Sequence, residues 1–395
     1  MDYGNDTTTP VPAALPAPTL NASQIIELCS KPEDFLLTER IWLCVVCGAT
    51  VAIMSIIFNI FIFAFFMANK QHRKTPNLYL LLLSLFDVFV SFSYIAVMSV
   101  RVVINLTASY YLKSIWVGYM VPLLAVSHIG ITSSTFLICC ASIERYCISV
   151  NNLLVPKLQK HRPVLAFLAI MSAVITKGTL LKEVTVIEDP DCIGMLNQWG
   201  VAPHPIINEY PNFSVFWRFY FRNIFTILAP FFVLLLVNIL IFYRLRKLGR
   251  QGKDTDKKLI DKQHVKEKKA RIMAATRSLV IVVCTYLFSN LLSVIVTIWE
   301  YLDSTPLFTT YVVFYVLSVD VISLLTIVAS VLRLPIYVIC QPALRKEMFE
   351  FFGQLWQRDK LSKQRTLLEG IRIPTASLIN TLEGDSDCFS RIEFV

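Results

Sequence analysis

Seven long apolar stretches separated by polar segments organise the chain, at residues 41–67, 78–100, 115–143, 163–181, 219–243, 278–299 and 307–339. A helix rises about 1.5 Å per residue and a bilayer core is about 30 Å thick, so roughly 20 apolar residues suffice to cross it. Runs of this length argue for helices, because a β-barrel shows short alternating segments instead. The first and sixth stretches carry no charge, the second holds only Asp87, and the third holds His128 alone among titratable side chains other than Cys and Tyr. The fourth is interrupted by Lys177, the fifth contains Arg222 near its start, and the seventh contains Asp320 and Arg333. The pattern predicts an all-α membrane protein built as a seven-helix transmembrane bundle.

Composition agrees with that reading. Of 395 residues, 55% are hydrophobic and only 16% charged, against about 25% charged in a soluble domain. With 12 Gly, 18 Pro and 10 Cys, collagen-like, low-complexity and disulfide-scaffold classes are excluded, and the apolar excess excludes disorder. A net charge of +9 would point to nucleic acid only as a patch on a soluble surface, so no nucleic-acid partner is expected. The charge instead sorts by side. Residues 1–40 hold six acids and two bases, and the segments 101–116, 182–218 and 299–306 balance at +2, −3 and −2. Segments 68–77 and 144–163 are basic, and 244–277 holds thirteen Lys/Arg against four acids. Basic loops stay in the cytoplasm, which places the N-terminus outside and the C-terminus inside, as an odd number of spans requires.

The Asn-x-Ser/Thr triplets begin at Asn5, Asn21, Asn105 and Asn212, all on the outer side, and are expected glycosylation acceptors. The first 24 residues lack a basic start and an apolar core, so the first span is expected to serve as a signal anchor. Residues 1–36 read as a flexible outer tail, 37–341 as the spanning domain and 357–395 as a flexible cytoplasmic tail. Between them, 342–356 places Leu344, Met348, Phe351, Phe352 and Leu355 at helical intervals, the pattern of an amphipathic helix on the membrane surface, in contact with lipid. No internal repeat is present, which counts against transporters built from duplicated halves. No Gly-rich phosphate loop, His-Glu-x-x-His or Gly-x-Ser-x-Gly occurs, and the five His are scattered over both sides. An enzyme is not expected, nor a cofactor or metal.

The inner end of the third stretch reads Glu144-Arg145-Tyr146. Alone, it is a plausible interfacial anchor, with Arg145 reaching the inner interface or neutralised by Glu144. It stands, however, with Asn59 in the first stretch, Leu83 to Asp87 in the second, Pro230 in the fifth, Cys284 in the sixth and Pro335-Ile336-Tyr337 in the seventh. In order and spacing this set resembles the rhodopsin-like (class A) G-protein-coupled receptors over residues 35–356. The resemblance implies a plasma-membrane receptor that binds an extracellular ligand and activates a heterotrimeric G protein, with Glu144, Arg145, Tyr146, Glu267 and Tyr337 in coupling and activation. By the family register, Glu267 falls opposite Arg145 and is expected to pair with it at rest.

The departures mark a divergent member. The fourth stretch has no Trp, and the sixth reads Cys284-Thr285-Tyr286-Leu287 where the family has Cys-Trp-x-Pro. No Cys lies between Cys47 and Cys139, so the family's bridge from the third span to the second outer loop cannot form. Cys192 in that loop and Cys29 in the outer tail share an oxidising compartment, and a Cys29–Cys192 disulfide is expected, although Cys44 and Cys47 also lie near the outer face. Arg333 occupies the family's Asn position facing the second-span acid. It is expected to pair with Asp87 beside Asn59 and Ser134, replacing the sodium ion that relatives hold there. The competing reading is that Arg333 reaches to the inner interface.

Ser127 stands where amine receptors carry an Asp, and the seventh stretch has no Lys for retinal. Ser127, His128 and Thr285 are expected in the ligand pocket, with Glu188, Asp189, Asp191 and Trp199 of the second outer loop above it. An acidic, aromatic vestibule suits a basic peptide, although the same acids also read as plain solvated charge. The texture is similar to invertebrate FMRFamide-type neuropeptide receptors. A small-molecule chemosensory receptor is the alternative within the family, and a channel or transporter the alternative outside it. The basic run from Arg246 to Arg277 reads both as an inside anchor and as a G-protein contact surface. In the tail, Ser377, Thr381, Ser386 and Ser390 offer sites for a kinase and arrestin, and Cys340 and Cys388 are inner thiols open to palmitoylation.

Overall fold

The computed structural model describes residues 22–32, 36–68, 75–150, 152–205, 215–251, 262–303 and 305–371. Among them, seven helices are long and apolar enough to cross a membrane. These first to seventh spans are Leu37–Ala68, Asn77–Thr107, Tyr110–Val150, Arg162–Glu183, Ile224–Arg246, Ile272–Leu302 and Val312–Cys340. All seven apolar stretches contain a spanning helix, although the seventh begins only at Val312, after a short helix Thr305–Thr309 and a turn at 310–311. The third helix has 41 residues, about 60 Å at the standard rise, so it projects well beyond the roughly 30 Å apolar core.

The chain divides into two compact units, one ending at Ile336 and one beginning at Tyr337. Within the first, five spans share one core: Tyr79 and Leu83 of the second, Leu137, Ile138 and Ala141 of the third, Ala166 and Ala169 of the fourth, Leu234 of the fifth, and Leu279, Val283 and Tyr286 of the sixth. The fourth span approaches through small side chains, since Ala166, Ala169 and Ala173 are all buried on one face. Its other face exposes Val164, Phe167, Leu168 and Ile175, which only a lipid surround makes favourable. Gly130 of the third span allows a similar approach, because a Cβ there would stand 3.1 Å from Val90 of the second.

Wide π-helical turns interrupt the outer halves of three spans: Ile41–Cys47 in the first, Ile95–Ser99 in the second and Ile224–Leu228 in the fifth, which a further one, Phe216–Phe221, precedes. Each turn rotates the residues beyond it relative to a regular helix, so the outer half of the bundle presents faces that a uniform 3.6 period does not. Above the spans, strands β1 (Val184–Glu188) and β2 (Trp199–Pro203) pair antiparallel, from Val184 opposite Pro203 to Glu188 opposite Trp199.

A helix, Ala22–Ser30, forms within the outer segment expected to be a flexible tail. Its structure there has a tether, since Cys29 and Cys192 form a disulfide and the Asn197 amide donates to Leu28 O and Lys31 O, both at 2.9 Å. In the second unit a 30-residue helix, Pro342–Ile371, follows the seventh span. Leu344 and Met348, one turn apart, are buried on one face, whereas Phe349 and Phe352 are exposed. The helix runs past the expected end at residue 356. Residues 357–371 are rich in Gln, Arg, Lys, Leu and Glu, strong helix formers that need no apolar stripe to continue it.

Candidate functional site

A cavity of about 270 Å³ opens among the spans. Ser127 and His128 of the third span line it, together with Val97 of the second, Lys177 of the fourth, Thr226 of the fifth, Tyr286 and Asn290 of the sixth and Thr326 of the seventh. Thr135 also lines it, and its hydroxyl lies 3.1 Å from the Tyr286 hydroxyl, closing a third-to-sixth-span contact. Thr285 is not part of the lining. Its hydroxyl donates to Val282 O at 2.8 Å, and the helical step of about 100° to the next residue brings Tyr286 to the cavity instead.

A second space of about 20 Å³ is lined by Asp87, Ser134, Asn290, Ser330 and Arg333. Arg333 forms an ion pair with Asp87, and both are buried, at 6% and 2% exposure. The guanidinium therefore turns into the bundle rather than out to the interface. Beside this pair the fully buried Asn59 donates its amide to Ser55 O at 2.9 Å and to Ser330 O at 3.5 Å, while Ser91 donates to Ser55 Oγ at 2.7 Å. First, second and seventh spans are thus joined by polar contacts in a region where unsatisfied polar groups are costly.

At the inner end of the third span, Glu144 does not neutralise Arg145. Neighbouring helical residues point about 100° apart and do not face each other. Glu144 instead accepts from Arg162 at the start of the fourth span, with the guanidinium Nε at 2.9 and 3.0 Å from its two oxygens. Both are buried, and Arg145 is half-buried with no ion pair among the described residues. Tyr146 is half-buried, and Tyr337 is buried near the end of the seventh span. The Glu267 backbone belongs to the helix Lys262–Leu302, but its side chain lies outside the described residues.

Toward the outer side, Arg40 of the first span donates to Asp320 of the seventh at 2.7 Å, both buried. Glu183, at the end of the fourth span, accepts from Arg222 at 2.6 and 2.7 Å and from Arg218 at 3.0 Å. In the second outer loop Glu188, Asp189 and Asp191 are exposed. Glu188 accepts from the Gln198 amide, whose own oxygen takes the Tyr110 hydroxyl at 2.8 Å and Gly194 N at 2.9 Å. Trp199 stacks on Tyr110 with ring centroids 5.2 Å apart, so it braces the loop against the third span.

Asn105 lies in the helix Val100–Thr107 with 9% of its surface exposed. The expected acceptor at Asn105 is thus a covered side chain on a helix. Asn5, Asn21, Asn212, Ser377, Thr381, Ser386, Cys388 and Ser390 lie outside the described residues. Among the described residues, no cluster of three His, Cys, Asp or Glu forms a metal cage.

Sequence reasoning passed over the Arg40–Asp320 and Glu144–Arg162 pairs and the lining role of Lys177. A signal was available for Asp320 and Lys177, since a charge inside an apolar stretch needs a reason, whereas Arg40, Glu144 and Arg162 stand just outside the stretches. A sequence model of the family described as "7 transmembrane receptor (rhodopsin family)" matches residues 58–332. The comparison with individual curated proteins gave no match.

Proposed function

From membership in the rhodopsin family of seven-transmembrane receptors, which the chain has through residues 58–332, we propose that its extracellular ligand is a peptide. The family supplies the rest: the chain is a class A G-protein-coupled receptor of the plasma membrane that activates heterotrimeric G proteins and is not an enzyme. The observation that carries the peptide reading is the outer loop. Its acids Glu188, Asp189 and Asp191 are exposed and its hairpin is held by Trp199 on Tyr110 and by the disulfide to the tail. A fixed acidic rim steers a basic ligand segment toward the entrance, as potentials over charged clefts do. The cavity of about 270 Å³ receives one end of the ligand and leaves the remainder on the rim. A small-molecule ligand is the second reading, favoured by the Val, Leu, Ile and Met side chains among the cavity walls.

Arg145 is the proposed coupling residue on the inner face, with Glu267 as its resting partner and ligand binding shifting the population in which the two are apart. The basic helix start around Lys266–Arg271 extends that face toward the G protein. The phosphorylated tail is the proposed docking site for arrestin. Screening a peptide library on cells expressing the chain, with calcium and cyclic AMP as readouts, tests the ligand assignment. Activation by basic peptides supports it, and activation by small organic compounds alone contradicts it.

A further inference from the structure

Four cationic side chains are buried among the described residues: Arg40, Arg162, Lys177 and Arg333. Three of them have a carboxylate: Asp320 for Arg40, Glu144 for Arg162 and Asp87 for Arg333. Lys177, 8% exposed, has neither a hydrogen bond nor an ion pair among the described residues, and it lines the cavity with His128 and Ser127. Glu183 and Arg222 lie within electrostatic range of it, but Glu183 is already held by Arg222 and Arg218. Three cations against one carboxylate leave this cluster net positive, and Lys177 is its member on the cavity wall. The exposed acids of the rim do not compensate, since they stand in water, where screening weakens them. A buried charge without a partner is costly, and within a membrane span it marks a functional site.

We propose that the portion of the ligand entering the cavity carries a negative charge, a carboxylate or a group of like charge, and that Lys177 receives it, with His128 and Ser127 as neighbouring hydrogen-bonding groups. The inference rests on the reading of this cavity as the ligand site. Combined with the acidic rim, it describes a dipolar ligand, with basic residues outside and an anionic end inside. A peptide with a free C-terminal carboxylate or an acidic terminal residue has that form, and a peptide amidated at an otherwise uncharged end does not. An ammonium accepts such a group as a point charge from several directions, which suits a flexible peptide terminus.

The test needs no signalling, so its outcome is separate from that of the peptide screen. The full chain is purified in detergent and its thermal unfolding is followed with three probes of one skeleton: 3-phenylpropionate, 3-phenylpropanamide and 3-phenylpropylamine. The carboxylate is expected to raise the melting temperature of the wild type, the amide and amine to have little effect, and Lys177→Gln to weaken the carboxylate response at least tenfold in concentration. Equal shifts from carboxylate and amide, the largest shift from the amine, no shift from the carboxylate, or a response that survives in Lys177→Gln would each overturn the proposal. As a check without any probe, Lys177→Met is expected to melt at a higher temperature than the empty wild type, because it removes an uncompensated charge. A lower melting temperature would show that Lys177 is satisfied within the protein, and would also overturn it.

Discussion

Asp87 and Arg333 meet inside a bundle where either charge alone would be expensive, and their meeting removes the need for an external counter-ion. The adjoining space of about 20 Å³ leaves little room beside the guanidinium for a hydrated cation. Arg333→Met and Asp87→Asn are each expected to cost about 3–5 kcal/mol, the range for breaking a buried pair, and the double substitution to recover part of it. A thermal-shift double-mutant cycle on the purified receptor checks this, and additive losses would contradict the pairing. Agonist response is expected to be the same in sodium and in choline buffers. At the inner end, Glu144→Gln is expected to destabilise by a similar amount through the orphaned Arg162, and Arg162→Gln to restore part of the loss when added. Melting curves of the two singles and the double decide it. Glu267→Ala is expected to raise basal signalling at equal surface expression, and an unchanged basal level would remove Glu267 as the partner of Arg145.

At the scale of elements, the outer cap is held by a covalent link across 163 residues, by the Trp199–Tyr110 stack and by Asn197 on the tail helix. Cys29→Ser, Cys192→Ser and the double variant are expected to lose the same stability, about 2–4 kcal/mol, because each removes one and the same closure. Thiol labelling under non-reducing conditions checks the premise, since two further reactive outer thiols in the wild type would contradict it. The seven spans were legible in the sequence because hydropathy over about 20 residues is a local property. The π-helical turns were not, since they answer to packing rather than to a repeating pattern. Ser127 and His128 were legible because one motif at Arg145 sets the register of the whole third helix. Thr285 was expected in the pocket, but its neighbour Tyr286 lines the cavity, because one residue is about 100° of helix face. The Arg40–Asp320 partnership joins residues 280 apart, and no local pattern reveals which distant acid a basic residue will meet.

The inner loops of the molecule are basic and most of its outer segments acidic, with a cavity among the spans and the Glu144-Arg145-Tyr146 segment at the inner end of the third. Between them, the third span is continuous from Tyr110 to Val150 and packs in the shared core with the second, fourth, fifth and sixth. It therefore carries both the cavity residues Ser127 and His128 and the inner Arg145. A ligand that favours one packing of these helices changes the exposure of that inner end by population shift. We propose that a peptide bound outside drives nucleotide exchange inside. The most direct measurement reconstitutes the full chain in nanodiscs with purified heterotrimeric G proteins and follows GTP binding as peptides active in the cell screen are added. Accelerated exchange that is lost in Arg145→Ala at equal peptide binding is the predicted result. Unchanged exchange, together with a peptide-gated ion current through the same chain in a planar bilayer, would contradict the account.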